Sequence, residues 1–376
     1  MSPETQPQRV ISVTLPGHHL RKYAQLLLNL HLRLNPSASN PRLGSDNASS
    51  DNANDETVRI VCVSDTHNNK PNLPPGDVLI HAGDLTENGS FDELQAQLNW
   101  LSAQPHAHKI VVAGNHDVLL DEGFLEKYPE RRYGDVRTRK DLEWGGLVYL
   151  EDESVTLNFP RQNQRGRYGQ EDDDRHGAQA AQHAHAHENN PNQRQPELQT
   201  QSESERPEKT RGLKIYGSPQ TPQYGISAFQ YPSSSAEEVW SNRIPDDADI
   251  VVVHGPPRLH LDSFDPNGLR RSGCAHLNQE IHRVRPRLVV FGHIHVGHGR
   301  EDVLLDGVRQ GHEKVMNRLG GWGVILGTVW AVILGYLKRV LGVRLGEQRV
   351  TTFVNAAVVG GGLKNELRNE AVIVDI

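Results

Sequence analysis

The chain has 376 residues with 47 acidic and 40 basic side chains, and its net charge of −7 gives no global electrostatic case for nucleic acid as a partner. A hydrophobic fraction of 36% and a mean hydropathy of −0.61 are low for a chain folded throughout, so part of it is expected to be disordered. Two cysteines exclude a disulfide framework; Cys62 lies in an apolar run that reads as buried, and a reducing, cytoplasmic setting is expected.

Residues 1–56 read as an N-terminal extension, largely flexible, that lacks a signal-peptide core and ends in the Asn/Asp/Ser-rich linker 45–55. Within it, Leu20, Tyr23, Ala24, Leu27 and Leu34 fit one helical face with Arg21, Lys22 and Arg33 nearby. Leu26 to Leu34 also alternate as a strand would, and of the two a short appended helix is expected.

The domain proper spans 57–376. Short β-branched runs at 58–63, 78–81 and 109–113 each end in a polar loop, a pattern suited to strands buried on both faces. Phe91, Leu94, Leu98 and Leu101 share a helical face, with Ser90 and Glu93 spaced as a capping box. Further strands are predicted at 147–149, 155–159, 213–216, 250–253, 288–291, 352–354 and 372–374. A helix marked by Cys274, Leu277, Ile281 and Val284 is stopped by Pro286. The alternation predicts a layered α/β sandwich.

Two insertions interrupt it. Residues 160–211 hold scarcely any aliphatic side chain and read as a disordered polar insertion, in which His183, His185 and His187 reflect composition rather than a metal site. The second, 301–349, is partly apolar: 319–337 is uncharged, flanked by Arg318, Lys338 and Arg339, and long enough to cross a bilayer. Strands that resume at Thr351 argue against a crossing. A buried or partner-facing helix ranks first, peripheral membrane contact through 319–343 second, and a span third.

Five polar clusters follow predicted strands: Asp65-Thr66-His67, Gly83-Asp84, Gly114-Asn115-His116-Asp117, His254-Gly255 and Gly292-His293-Ile294-His295. Strand carboxyl ends of an open α/β sheet face a common crevice, so these residues are expected to converge there. Carboxylate, amide and imidazole donors without Cys suit Mn, Fe or Zn.

This ordered set, D-x-H, G-D, G-N-H-D/E, H and G-H-x-H, resembles the calcineurin-like metallophosphoesterase superfamily. His254-Gly255-Pro256-Pro257, Arg285-Pro286-Arg287 and the run from Phe291 to His295 are more specifically similar to its class III metallophosphodiesterase subgroup. The resemblance implies an α/β/β/α sandwich and a two-metal centre. Asp65, His67 and His295 would then bind one ion, Asn115, His254 and His293 the other, and Asp84 both. It also implies hydrolysis of small phosphodiesters, such as cyclic nucleotides, by a hydroxide shared between the two divalent or trivalent ions. His116 would protonate the leaving oxygen or steady the transition state, and Asp117 would orient His116 or close its turn. His81, His260 and His298 are expected to support rather than ligate. Gly83, Gly114 and Gly292 are expected where a Cβ would crowd the ligands. Arg258, Arg270 and Arg271 could meet phosphate, or could simply be solvated. The alternative reading is a metal-bearing scaffold or membrane-peripheral regulator without catalysis.

Overall fold

The computed structural model describes residues 17–39, 57–160, 210–265, 270–343, 349–360 and 365–376. The 45–55 linker, most of the polar insertion, and His183, His185 and His187 lie outside the described residues. The chain divides into two compact units, Met1–Leu157 with Leu213–Ile376, and Asn158–Gly212, of which only strand ends are described.

The strands, in chain order, are β1 (Arg59–Val63), β2 (Val78–Ala82), β3 (His108–Val112), β4 (Val148–Tyr149), β5 (Glu153–Pro160), β6 (Thr210–Ser218), β7 (Thr221–Pro222), β8 (Gln230–Tyr231), β9 (Ile250–Val253), β10 (Leu288–Phe291), β11 (Gly299–Leu304), β12 (Val350–Asn355) and β13 (Val372–Asp375). The helices are α1 (His18–Leu34), α2 (Pro36–Ser39), α3 (Phe91–Ser102), α4 (Glu122–Lys127), α5 (Ala236–Trp240), α6 (Ala275–Val284), α7 (Gly307–Met316) and α8 (Trp322–Val340).

Two mixed sheets result, one of five strands in the order β13-β1-β2-β3-β4 and one of six in the order β11-β12-β10-β9-β6-β5. Neighbours run parallel from β1 to β4 and from β12 through β10 and β9 to β6, while β13 and β11 pair antiparallel at the edges. The period of two sorts each strand. Val61 and Val63 pack with Leu94, Leu98 and Leu101 of α3, so Ile60 and Cys62 face the other way, and all four are buried. In the second sheet Val251 and Val253 pack with Leu277 and Ile281 of α6, leaving Ile250 and Val252 to the opposite face. The α/β/β/α order of layers follows. Residues 355–358 stitch the sheets together: Ser64 N donates to Ala356 O at 2.9 Å, and Ala356 N to Phe291 O at 2.8 Å.

Helix α3 carries both reciprocal hydrogen bonds of the Ser90–Glu93 capping box. Cys274 is not inside the next helix but caps it, its Sγ accepting from Leu277 N. Neither β11 nor α7 was expected. The first is an edge strand that opens the 301–349 insertion, and its Arg300, Glu301 and Asp302 make a charged edge of the kind that discourages further pairing.

The stretch 18–34 of the N-terminal extension is helix, not strand, and is not flexible chain: Ala24 is fully buried against Val315 of α7 and Ile325 of α8. Helix α8 narrows the first-ranked expectation, excluding its buried form and not its partner-facing one. Only 17% of its apolar window is buried, so it is not a core helix.

Candidate metal centre

Each polar cluster leaves the carboxyl end of a parallel strand: Asp65 after β1, Asp84 after β2, Asn115 and His116 after β3, His254 after β9 and His293 after β10. Both sheets point these ends the same way, and the loops meet. Ligand atoms of Asp65, His67 and His295 lie within 4.8 Å of one another, as do those of Asp84, His254 and His293, and those of His67, Asp84 and His116. His254 Nε2 sits 3.0 Å from Asn115 Oδ1 and 3.3 Å from Asp84 Oδ2, which brings the amide to the second group. All seven residues expected as ligands are thus brought together, with Asp84 between the two clusters: His67 Nε2 is 3.8 Å from the same Oδ2.

The donor set fits metal. Among the described residues neither ring nitrogen of buried His67 has a hydrogen-bond partner, an arrangement that is costly unless something else takes up its lone pair. Burial works to raise the carboxyls of Asp65 and Asp84, but His295 holds the first and His254 the second, so both sit below the usual carboxylate range. Burial, with His254 beside it, pushes His293 down to about 3, leaving its imidazole neutral and ready to donate a lone pair. Asp65, His67, Asp84, Asn115 and His254 form the buried floor, while His116, His293 and His295 are half-buried and form the mouth.

The backbone around these ligands is strained. Asp65, His67, Asp84 and His293 have φ of 53°, 42°, 52° and 67°, left-handed values that cost a non-glycine residue about 1–2 kcal/mol each. Hydrogen bonds hold them there: His293 N donates to Asp65 Oδ2 at 2.9 Å, and His116 N to Asp84 Oδ1 at 2.8 Å. Glycines allow the approach. A Cβ on Gly114 would strike the Asp84 carboxylate, and one on Gly292 the Asp65 carboxylate.

Asp117 does not orient the His116 ring. Its two oxygens accept from Gly114 N, Leu85 N, Thr86 N and Thr86 Oγ1 at 2.8–3.2 Å, tying the Asp84 loop to the Asn115 loop. The His116 ring is held instead through Nδ1, 2.7 Å from Glu87 O. His81 supports two of the ligand turns, with Nε2 3.0 Å from Thr66 Oγ1 and Nδ1 accepting from Gly83 N. His298 reaches Glu370 O, and His260 joins a separate network around Glu313. Arg271 pairs with Asp262 at 2.6 Å, and Arg258 donates to Arg271 O at 3.3 Å.

Four contributors escaped the sequence. Thr86 and Asn355 brace loops, Asn355 Nδ2 donating to Ile294 O at 2.9 Å between the two mouth histidines. Ser227 Oγ donates to Asn115 O at 2.5 Å, and Tyr224 lays its ring 5.0 Å from that of His293 while remaining 60% exposed. No local pattern announces them, because Ser227 acts across 112 residues of chain and Asn355 across 61, Tyr224 meets His293 from a different loop, and Thr86 acts from a neighbouring turn.

Residues 58–297 match Calcineurin-like phosphoesterase. The chain belongs to this family. It carries the family's dinuclear metal-binding fold, with the acid and imidazole clusters of a metal-dependent hydrolase. It is 38% identical over 324 residues, 86% of its length, to a protein of Emericella nidulans named "Probable rhamnogalacturonate lyase C", and spans 25% of that protein. It is 33% identical over 268 residues to the human "Metallophosphoesterase domain-containing protein 1", covering 66% of this chain and 63% of the human one. Each of these relatives therefore extends well beyond the region it shares with this chain.

Proposed function

We propose that the protein is a two-metal phosphodiesterase of the kind its class III-like motifs imply, acting on small phosphodiesters such as cyclic nucleotides, with Mn, Fe or Zn at the centre. The observation that carries this reading is the pair of three-ligand clusters meeting at Asp84, with the His67 nitrogens unpartnered beside it. Asp65, His67 and His295 would hold one ion, Asn115, His254 and His293 the other, with Asp84 serving both. When bound, such ions supply Lewis acidity toward phosphoryl oxygens and toward water.

The residues at the mouth do the rest. Nδ1 of His116 donates to the Glu87 carbonyl, so Nε2 is the nitrogen left to face the leaving oxygen, where it would donate a proton. Asp117 ties the Asp84 loop to the Asn115 loop and so keeps the ligands of the two clusters together. Tyr224, exposed beside His293, offers a face on which a nucleobase can stack, which supports a nucleotide diester as substrate. A cytoplasmic setting agrees with two buried free thiols, Cys62 and Cys274.

The test is hydrolysis of bis-p-nitrophenyl phosphate and p-nitrophenyl phosphate by metal-stripped protein titrated with Mn. Metal-dependent diester turnover, suppressed in Asp84→Asn and His116→Ala, is the expected result. Full metal occupancy without turnover of either ester or of cyclic nucleotides would overturn it and leave the scaffold reading.

A further inference from the structure

Helix α8 is amphipathic the wrong way round for a soluble protein. Trp322, Leu326, Trp330, Ile333 and Leu337 recur on one stripe and are 58%, 68%, 60%, 43% and 45% exposed, while the buried side holds Ile325, Thr328 and Val332. No charged residue interrupts the helix before Lys338.

Helix α1 lies alongside it in parallel. The Tyr23 ring is 5.8 Å from that of Trp322 at one end, and Arg339 donates to Leu34 O at the other. Leu26 and Leu30, 53% and 46% exposed, extend the apolar stripe onto this second helix. The result is a patch two helices wide and about 25 Å long, larger than single exposed side chains explain.

Charge identifies what covers it. In a chain of net charge −7, α1 and α8 carry Arg21, Lys22, Arg33, Lys338 and Arg339 and not one Asp or Glu. We propose that the α1–α8 face docks on an anionic lipid bilayer, lying in the headgroup layer with its aromatic residues at the interface and its cations against the lipid charge. A second copy of the chain fits less well, since it would bring two such cation sets together with no acid between them.

The helix does not cross the membrane. Its other side packs on α7, where a Cβ on Gly311 would strike Thr328. Glu313 fastens α7 to the sandwich by accepting from His260, His282 and Asn278 at 2.8–3.2 Å. After α8 ends at Val340 the chain is back in the second sheet by Val350 as β12, beside β10.

The test is sedimentation of the full chain with phosphatidylcholine vesicles, with and without about one third phosphatidylserine, alongside quenching of Trp fluorescence by brominated lipid. Binding that rises with phosphatidylserine and falls with salt is expected. Leu326→Glu with Trp330→Glu should weaken it by about tenfold or more at an unchanged melting temperature, and Lys338→Ala with Arg339→Ala should remove the phosphatidylserine preference. Where the Glu pair fails to fold, Trp322→Phe with Trp330→Phe should bind vesicles but lose the lipid quenching. No vesicle binding by the intact chain, or a lipid-free dimer that the Glu pair dissociates, would overturn the proposal.

Discussion

In the sandwich every residue of β2, β9 and β10 is buried, and polar side chains gather only where the strands end. In the helical annex, α8 leaves Trp322, Leu326 and Trp330 to the surface and buries Thr328. Both segments are apolar runs, yet only the first is consumed by its own fold. An apolar run must leave water, but what receives it depends on the partners that topology supplies. The strands find two faces, whereas α8 finds α7 and α1 on one side alone.

If the two regions are independent, damage to one should spare the other. Asp84→Asn, at the meeting point of the clusters, should lower diester hydrolysis by about a thousandfold or more without changing vesicle binding. Loss of both would show that the annex reports on the metal centre. Within the site, His116→Ala should cost about a hundredfold in kcat at full metal content. Asp117→Ala should instead weaken metal binding by about ten- to a hundredfold, because it unties the Asp84 and Asn115 loops. Equal kcat losses at equal metal content would mean that Asp117 acts through His116 after all.

That pair shows where sequence reading stopped. The order and spacing of Asp65, His67, Asp84, Asn115, His254, His293 and His295 were legible because each follows a β-branched run, and parallel strands place such ends together. The partner of Asp117 was not, since Thr86 lies on another loop and the same residue serves either role. Helix α7 was invisible: of its ten residues Val308 and Val315 are the buried aliphatics, and Glu313, which reads as surface, is 2% exposed because His260, His282 and Asn278 reach it from distant segments.

Glu313 also tests how firmly the annex is mounted. Glu313→Ala leaves buried His282 without its carboxylate and His260 with Glu301 alone, and should lower unfolding stability by about 3 kcal/mol in a denaturant titration. Tyr224→Ala should be milder, raising KM for a nucleotide diester by about fivefold to tenfold and hardly touching a small diester that has no base to stack. An equal rise for both substrates would make Tyr224 a wall of the site rather than a platform.

The finest separation of the two regions is by pH. His260 stands between Glu301 on β11 at 2.6 Å and Glu313 on α7 at 3.2 Å, with His282 and Asn278 of α6 and Arg309 of α7 on the same Glu313 carboxylate. Burial opposes its charge, but the two carboxylates prevail and push its pKa up to about 9 from an ordinary 6.5. Burial likewise opposes ionised Glu313, and His260 and His282 hold it well below its ordinary 4.5. A raised histidine contributes stability that is complete below 6.5 and disappears as pH climbs through about 9; a lowered glutamate contributes above 4.5 and loses that as pH falls. The difference in unfolding free energy between the native chain and Glu313→Gln should therefore be greatest between pH 4.5 and 6.5 and shrink toward pH 9. Taking the difference cancels titration at the metal centre, which both proteins share. A difference that stays flat from pH 5 to 9 would mean that His260 is neutral in the fold and that α7 is held by packing, not by charge.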